Sequence, residues 1–195
     1  MIIYIVGVSC VGKTTIGKML SDKLGISFFD LDEEIQKYYQ KPIERIQDEC
    51  FSLNGYRKKG SVVLDYILSK SQNSVISGTP SGLKFSYLQV YNRHKVNKDL
   101  LSIHIKDAFE NIVERLTFYD KDSNPVEEEM DESLKKRYLK DIKADYNYFK
   151  TSYERADLKI EIENLILNDI VNLILKKIQI KLGLLFSNKV LSTSH

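Results

Sequence analysis

The segment Gly7-Val8-Ser9-Cys10-Val11-Gly12-Lys13-Thr14 fits the pattern G-x-x-x-x-G-K-[ST], and its surroundings narrow the fold sharply. Before it, Ile2 to Val6 is a short, continuous apolar run, as expected of a strand buried on both faces of a parallel sheet. After it, Thr14 to Leu24 places Ile16, Met19, Leu20 and Leu24 on one helical face, and Gly25 supplies a C-terminal stop. A strand, a glycine loop and a helix in that order form a phosphate cradle. Successive backbone N–H groups from Ser9 to Thr14 can surround a phosphate, and the helix directs its positive end at it. Lys13 adds a point charge for the β- and γ-phosphates of ATP or GTP. Thr14 adds a hydroxyl for Mg²⁺, an ion that keeps several waters and takes few protein ligands. The candidate nucleotide site is therefore Gly7, Ser9, Cys10, Val11 and Gly12, continued by Lys13, Thr14 and Thr15. Cys10 stands where many such loops carry another glycine.

The remaining periodicities extend the pattern. Strands are expected at 26–29, 75–77, 101–105 and 158–162, with helices at 32–39, from Pro42, around 62–67 and after Asp107. Asp107 and Glu110 have capping-box spacing before a face made of Ala108, Ile112, Val113 and Leu116. Residues 120–125 read as a polar loop. A long helix follows, with Leu134, Tyr138, Ile142, Tyr146, Phe149 and Tyr153 as its stripe. Asn168 reads as the cap of a last helix. Strands alternating with helices give an α/β fold, a three-layer α/β/α arrangement around a parallel sheet. One domain over residues 1–186 is expected, with a lid at about 118–127 and a frayed tail at 187–195.

Charge excludes some functions. With 29 basic and 27 acidic side chains the net charge is +2, which gives no support for nucleic-acid binding. The apolar start is too short for a signal peptide, and no run approaches the ~18 residues of a membrane span. Two cysteines without metal-ligand spacing suit free thiols in a reducing cytoplasm. His94, His104 and His195 form no ligand set.

Asp30-Leu31-Asp32 falls at the end of the second strand, the sheet edge where ligands of open α/β folds bind. Asp30 there can support a metal-bound water, and Asp32 can orient a substrate hydroxyl or accept its proton. The competing reading is a helix N-cap followed by acidic first-turn residues.

These residues resemble the shikimate kinases. The likeness runs from the phosphate loop through Phe29-Asp30-Leu31-Asp32-Glu33-Glu34-Ile35, Pro42-Ile43 and Tyr56-Arg57. It resumes at Leu101 to Leu116 and at Tyr153-Glu154-Arg155-Ala156-Asp157. The resemblance implies a nucleoside-monophosphate-kinase-like architecture with a mobile lid, and an ATP-dependent, Mg²⁺-requiring transfer of phosphate to a hydroxyl of a small acid. It implies Lys13 and Asp32 as catalytic, and Thr14 and Asp30 at the metal. Arg57 would pair with the acceptor carboxylate, Gly78 and Thr79 would bed the acceptor, and Arg115 would lie near the adenine. It gives no nucleic-acid or membrane partner, and a monomer or weak dimer.

Several positions depart from the family pattern. Its triple glycine is Gly78-Thr79-Pro80, its lid Arg-Pro is Asn124-Pro125, and the acidic partner three residues after Arg57 is Gly60. The second substrate arginine falls at Phe149 or Lys150, and Lys150 is a candidate replacement. Two other readings therefore stand: a nucleoside, nucleotide or sugar-acid kinase, and a nucleotide-binding member without efficient transfer.

Overall fold

A computed structural model describes residues 1–122, 124–126 and 131–192, without the side chains of 119 and 184–192. Strand β1 (Ile2–Val6) is buried at every position, as its unbroken apolar run requires. It lies at the centre of a five-stranded sheet of order β2-β3-β1-β4-β7. The other members are β2 (Ser27–Asp30), β3 (Ser74–Ser77), β4 (Leu100–Lys106) and β7 (Leu158–Glu161). All four pairings are parallel. β2 is an edge strand and is only partly covered.

Between the strands run α1 (Lys13–Leu24), α2 (Leu31–Tyr39), α3 (Ile43–Asp48), α4 (Leu53–Lys70) and α5 (Phe85–Lys95). They are followed by α6 (Phe109–Val113) and α7 (Glu132–Tyr153). Helix α1 lies close on the sheet because Gly17 has no side chain: a Cβ there would come within 2.8 Å of the Phe28 ring. It ends at Gly25, whose φ of 64° closes the last turn. Strands β5 (Phe118–Tyr119) and β6 (Pro125–Val126) form an antiparallel pair over the segment read as a lid. Residues 123 and 127 of that segment lie outside the described ones.

The chain divides into two units, Met1–Glu163 and Asn164–His195. The second holds α8 (Leu167–Ser192), with Ile170, Val171, Ile174 and Ile178 buried. It remains helical to Ser192, within the stretch read as tail, and residues 193–195 lie outside the described ones.

Four local expectations change. Helix α5 was not anticipated, although Tyr87, Val90 and Tyr91 give it a buried face at helical spacing. Its cap residue, Lys84, offers no side-chain capping bond, so the usual start signal is missing. Asp107 forms no capping box: its Oδ1 accepts from the Ala108 N–H at 2.8 Å and the Asn111 amide at 3.0 Å, and Oδ2 accepts from Arg115 Nη2 at 2.5 Å. Asn168 lies inside α8 rather than before it. In α7 only Phe149, Ser152 and Tyr153 of the last turn are buried, and the earlier part of the stripe is half-covered or exposed.

The turn between α7 and β7 is anchored by Asp157. Its carboxylate accepts from the Ser102 N–H at 2.9 Å, the Ser102 hydroxyl at 2.8 Å, the Tyr91 hydroxyl at 2.7 Å and Lys95 Nζ at 2.6 Å. Burial alone would raise its pKa, but Lys95 and these hydrogen bonds overcome burial and hold it at about 2.

His104 of β4 is buried and stacked on Tyr153, ring centroids 4.3 Å apart. Burial lowers its pKa from 6.5 to about 4. The folded protein therefore binds this proton less readily than the unfolded chain. The stability this supplies is complete above pH 6.5 and drains as pH falls towards 4, to a loss of roughly 3 kcal/mol. His104→Phe keeps the ring stack and removes the titration. Its melting temperature should fall less than the parent's between pH 7 and pH 4.5, as read by circular dichroism. An equal fall in both proteins contradicts the assignment.

Candidate active site

The phosphate loop joins β1 to α1 through strained backbone. Gly7 has φ 154°, and a Cβ there would lie 2.6 Å from the Ile105 carbonyl oxygen of the neighbouring strand. Gly12, at φ 101°, precedes the helix. Cys10 has φ 56°, the left-handed region that a side chain enters at a cost of about 1–2 kcal/mol. The position asks for glycine, and the cysteine occupies it under strain. Val11 is fully buried, so its side chain anchors the loop beneath the phosphate cradle.

Lys13 folds back over the loop. Its Nζ donates to the Val8 carbonyl at 2.9 Å, and burial lowers its pKa. The Thr14 hydroxyl donates to Asp30 Oδ2 at 2.6 Å and lies 3.3 Å from the Ser77 hydroxyl. Asp30 Oδ1 caps α2 by accepting from the backbone N–H groups of Asp32, at 3.0 Å, and Glu33, at 3.4 Å. The two readings of the acidic pair thus divide between its members: Asp30 is both a cap and a partner of Thr14. Asp32 caps nothing, and among the described residues its carboxylate accepts no hydrogen bond.

Asp32 faces the solvent of the cleft with protein around most of it. Loss of hydration and the nearby Asp30 charge push its pKa up to about 6, against the opposing pull of Lys13. Besides a cavity of about 490 Å³ beside Gln36, Ile43 and Glu44, it lines two more that share Ser9 and Pro80. The first, about 590 Å³, is bounded by Lys13, Thr14, Ser77, Gly78 and Arg115, with Ser9, Gly12 and Thr15 of the loop. The second, about 400 Å³, is bounded by Tyr56, Arg57, Thr79, Asp145 and Phe149. Asp32 therefore sits where a phosphate cleft opens into a second chamber, the position from which a carboxylate can orient an attacking hydroxyl.

Arg57 is half-buried, unlike its exposed neighbour Lys58, so it does not belong to a solvated helix face. Its guanidinium carbon lies 4.7 Å from the Phe85 ring centroid and 6.0 Å from that of Phe149, and Nη1 donates to the Asn54 side chain at 3.0 Å. Gly78 extends the sheet by donating its N–H to the Ile5 carbonyl at 2.8 Å. A Cβ there would meet the Tyr4 ring at 2.6 Å, so packing on Tyr4 already demands a glycine. Arg115 donates from Nε to the Cys10 carbonyl at 3.3 Å as well as to Asp107, which ties α6 to the loop.

Lys150 is a correction. It is exposed and lines neither chamber; Phe149, the adjacent residue on α7, turns inward instead. Ser77 and Asp145 line the chambers without having been singled out in the sequence. Only Ser77, at a strand end, carried a local signal.

The model of the family described as shikimate kinase matches residues 9–179. The chain belongs to the shikimate kinase family. It is 34% identical over 161 residues to shikimate kinase from Aquifex aeolicus strain VF5, covering 83% of this chain and 86% of that one. The crystal structure of the Aquifex aeolicus enzyme superposes with a TM-score of 0.70 at 30% identity, over 92% of this chain and 96% of that one. The structure of the Acinetobacter baumannii enzyme in complex with shikimate gives a TM-score of 0.71 at 23% identity, over 92% and 93% of the two chains, and speaks for the fold. The family makes this chain an ATP-dependent kinase, in preference to the non-transferring and sugar-acid readings.

Within this shikimate kinase frame, two departures acquire physical accounts. Asn124 replaces the lid arginine and is built into the hairpin: its backbone N–H donates to Asp120 at 3.0 Å, and its amide reaches the same carboxylate at 3.1 Å. Gly60 replaces the acidic partner of Arg57 because Tyr87 fills that space. A Cβ on Gly60 would fall 2.0 Å from the Tyr87 hydroxyl oxygen and 3.0 Å from Ile35 Cδ1.

Alanine ordinarily gains about 1 kcal/mol over glycine within a helix. Here overpacking against fully buried Tyr87 should prevail, and Gly60→Ala should lose roughly 1–3 kcal/mol in urea unfolding. Adding Tyr87→Phe, which removes the hydroxyl that the new Cβ would strike, should restore part of that loss. A stabilised Gly60→Ala protein rules out this packing.

Proposed function

We propose that the chain transfers the γ-phosphoryl group of ATP to a hydroxyl of shikimate, with the first chamber receiving the phosphates and the second the acceptor. The observation that carries the reading is the unpartnered Asp32 carboxylate at the junction of the two chambers. With a pKa of about 6 it is mainly ionised at neutral pH, so it can take a hydrogen bond from the acceptor hydroxyl and then its proton.

The loop N–H groups hold the phosphates, and Lys13, displaced from Val8, adds its charge to them. Thr14 Oγ1 and Asp30 Oδ2 are adjacent hard oxygen donors, a set that fits Mg²⁺. Among the described residues no group of three or more acidic, His or Cys side chains forms a metal cage, which suits an ion that takes most of its ligands from phosphate and water. Such an ion, when bound, offsets phosphate charge. Arg57, its faces covered by aromatic rings, presents its remaining N–H groups to a carboxylate. Thr79 lines the acceptor chamber, whereas Gly78 falls on the lining of the phosphate chamber, and Arg115 flanks the nucleotide. The hairpin of β5 and β6 acts as the lid that excludes water.

We place the enzyme in the cytoplasm, as a monomer or weak dimer. Its two cysteines are free, and among the described residues no helix is long and apolar enough to cross a membrane.

A coupled assay with shikimate, gluconate and nucleosides tests the proposal. Turnover should be found with shikimate. Lys13→Ala and Asp32→Ala should lower kcat by at least about 10²-fold, and Arg57→Ala should raise KM for shikimate by about 10-fold or more with a smaller change in kcat. Undiminished transfer by Asp32→Ala sinks its role, and ATP binding without transfer to any acceptor sinks the activity.

A further inference from the structure

Resting on that reading, the geometry points to Asp145 as a specificity-determining residue of the acceptor chamber: it receives a second hydroxyl of the acceptor, one that is not phosphorylated. Asp145 and Phe149 lie one turn apart on α7, and both side chains line the chamber that Arg57 and Asp32 also line. Arg57 is the only cation on that lining among the described residues, and no carboxylate of the described residues pairs with it within 4.0 Å. Asp145 accepts no hydrogen bond and makes no ion pair among the described residues. Burial and the neighbouring Asp141 raise its pKa, with Arg57 opposing them.

The chamber therefore contains one group suited to a carboxylate and two suited only to donors. An acid that pairs with Arg57 and gives its reacting hydroxyl to Asp32 leaves Asp145 to be satisfied. A further hydroxyl satisfies it. A second carboxylate would be repelled, and a mono-hydroxy acid would leave Asp145 unpaired and partly desolvated. The occupant this set selects is a polyhydroxylated monocarboxylic acid. The shikimate kinase pattern sharpens the point. The second acceptor arginine of the family falls here at Phe149 or Lys150: Phe149 covers a face of Arg57, 6.0 Å away, and Lys150 lines neither chamber. The α7 side of the chamber has thus lost a carboxylate-binding cation and presents an acceptor of hydroxyl donors.

The test compares the parent, Asp145→Ala and Asp145→Asn on shikimate and on a deoxy analogue lacking one non-reacting hydroxyl. Asp145→Ala should raise KM for shikimate by about 10- to 100-fold, the usual range for losing a hydrogen bond to a charged group, with kcat changed by less than about 3-fold. The parent's preference for shikimate over the deoxy analogue should collapse in Asp145→Ala and survive in part in Asp145→Asn, whose amide oxygen still accepts. Melting temperatures should coincide, because Asp145 is only partly covered and makes no hydrogen bond or ion pair among the described residues. An unchanged or lowered KM, or a preference undisturbed in Asp145→Ala, overturns the assignment.

Should the parent transfer phosphate to no acid, the proposed activity fails while this assignment remains separately measurable. Calorimetric titration of shikimate into each protein with a non-hydrolysable ATP analogue should show at least about 10-fold weaker binding to Asp145→Ala. Equal affinities, or no binding to the parent, overturn it.

Discussion

The parallel register of β1, β2 and β3 is the constraint on which the site depends. Asp30 is aligned with Ser77, and Ser77 with Ile5, so the ends of three strands finish at one level. The chain leaves β1 one residue later into the phosphate loop and returns with Thr14 at the start of α1. Thr14 therefore meets both Asp30 and Ser77 within hydrogen-bonding reach. Side chains 16 and 63 residues away from it arrive through sheet geometry, which needs no specific long-range contact between them. A register slip of one residue in β2 would turn Asp30 to the opposite face and remove the partner of Thr14.

The same geometry explains what could be read in the sequence. The phosphate loop and the acidic pair are local: each lies within eight residues, beside a strand whose apolar run is unmistakable. The acceptor chamber is not local. Tyr56 and Arg57 come from α4, Thr79 from the loop after β3, and Asp145 and Phe149 from α7. Nothing in the neighbourhood of Asp145 distinguishes it from Asp141, four residues earlier on an exposed helix. Lys150 was favoured as a replacement for a missing cation by its charge, but helical phase decides the matter: one residue along α7 turns a side chain by about 100°, and Phe149 holds the inward position. Helix α5 was hidden for another reason. It lacks a capping side chain, so only the spacing of Tyr87, Val90 and Tyr91 announced it.

Two of the departures from the family pattern bear on one residue, Arg57. An acidic residue at position 60 and a large aromatic residue at position 87 compete for the same space, and here Tyr87 has it. Arg57 has consequently exchanged an ionic partner for stacking on Phe85 and Phe149 and one bond to Asn54. Stacking leaves the guanidinium's positive charge uncompensated, whereas an ion pair would spend part of it before an acceptor arrived.

The donor side poses the harder problem. Among the described residues, Lys13 and Arg115 are the cations that line the phosphate chamber, and the lid arginine has become a hairpin residue. Arg115 is held by Asp107 and by the Cys10 carbonyl, so its charge is fixed beside the loop and partly neutralised. Lys13 is different. Among the described residues its only hydrogen bond is to a loop carbonyl, and burial makes its proton easier to lose, so an arriving polyanion stabilises the ammonium far more than the free protein does. Fixed charges that need no rearrangement lower a barrier more effectively than mobile ones. The strained Cys10 and the anchored Arg115 are consistent with a loop held rigid for that purpose. On the function proposed above, stabilisation of the transferring phosphoryl group would come chiefly from the loop N–H groups, from Lys13 and from a metal held by Thr14 and Asp30. That reading concentrates the catalytic electrostatics at the start of α1, because Asn124 brings no charge to the phosphates.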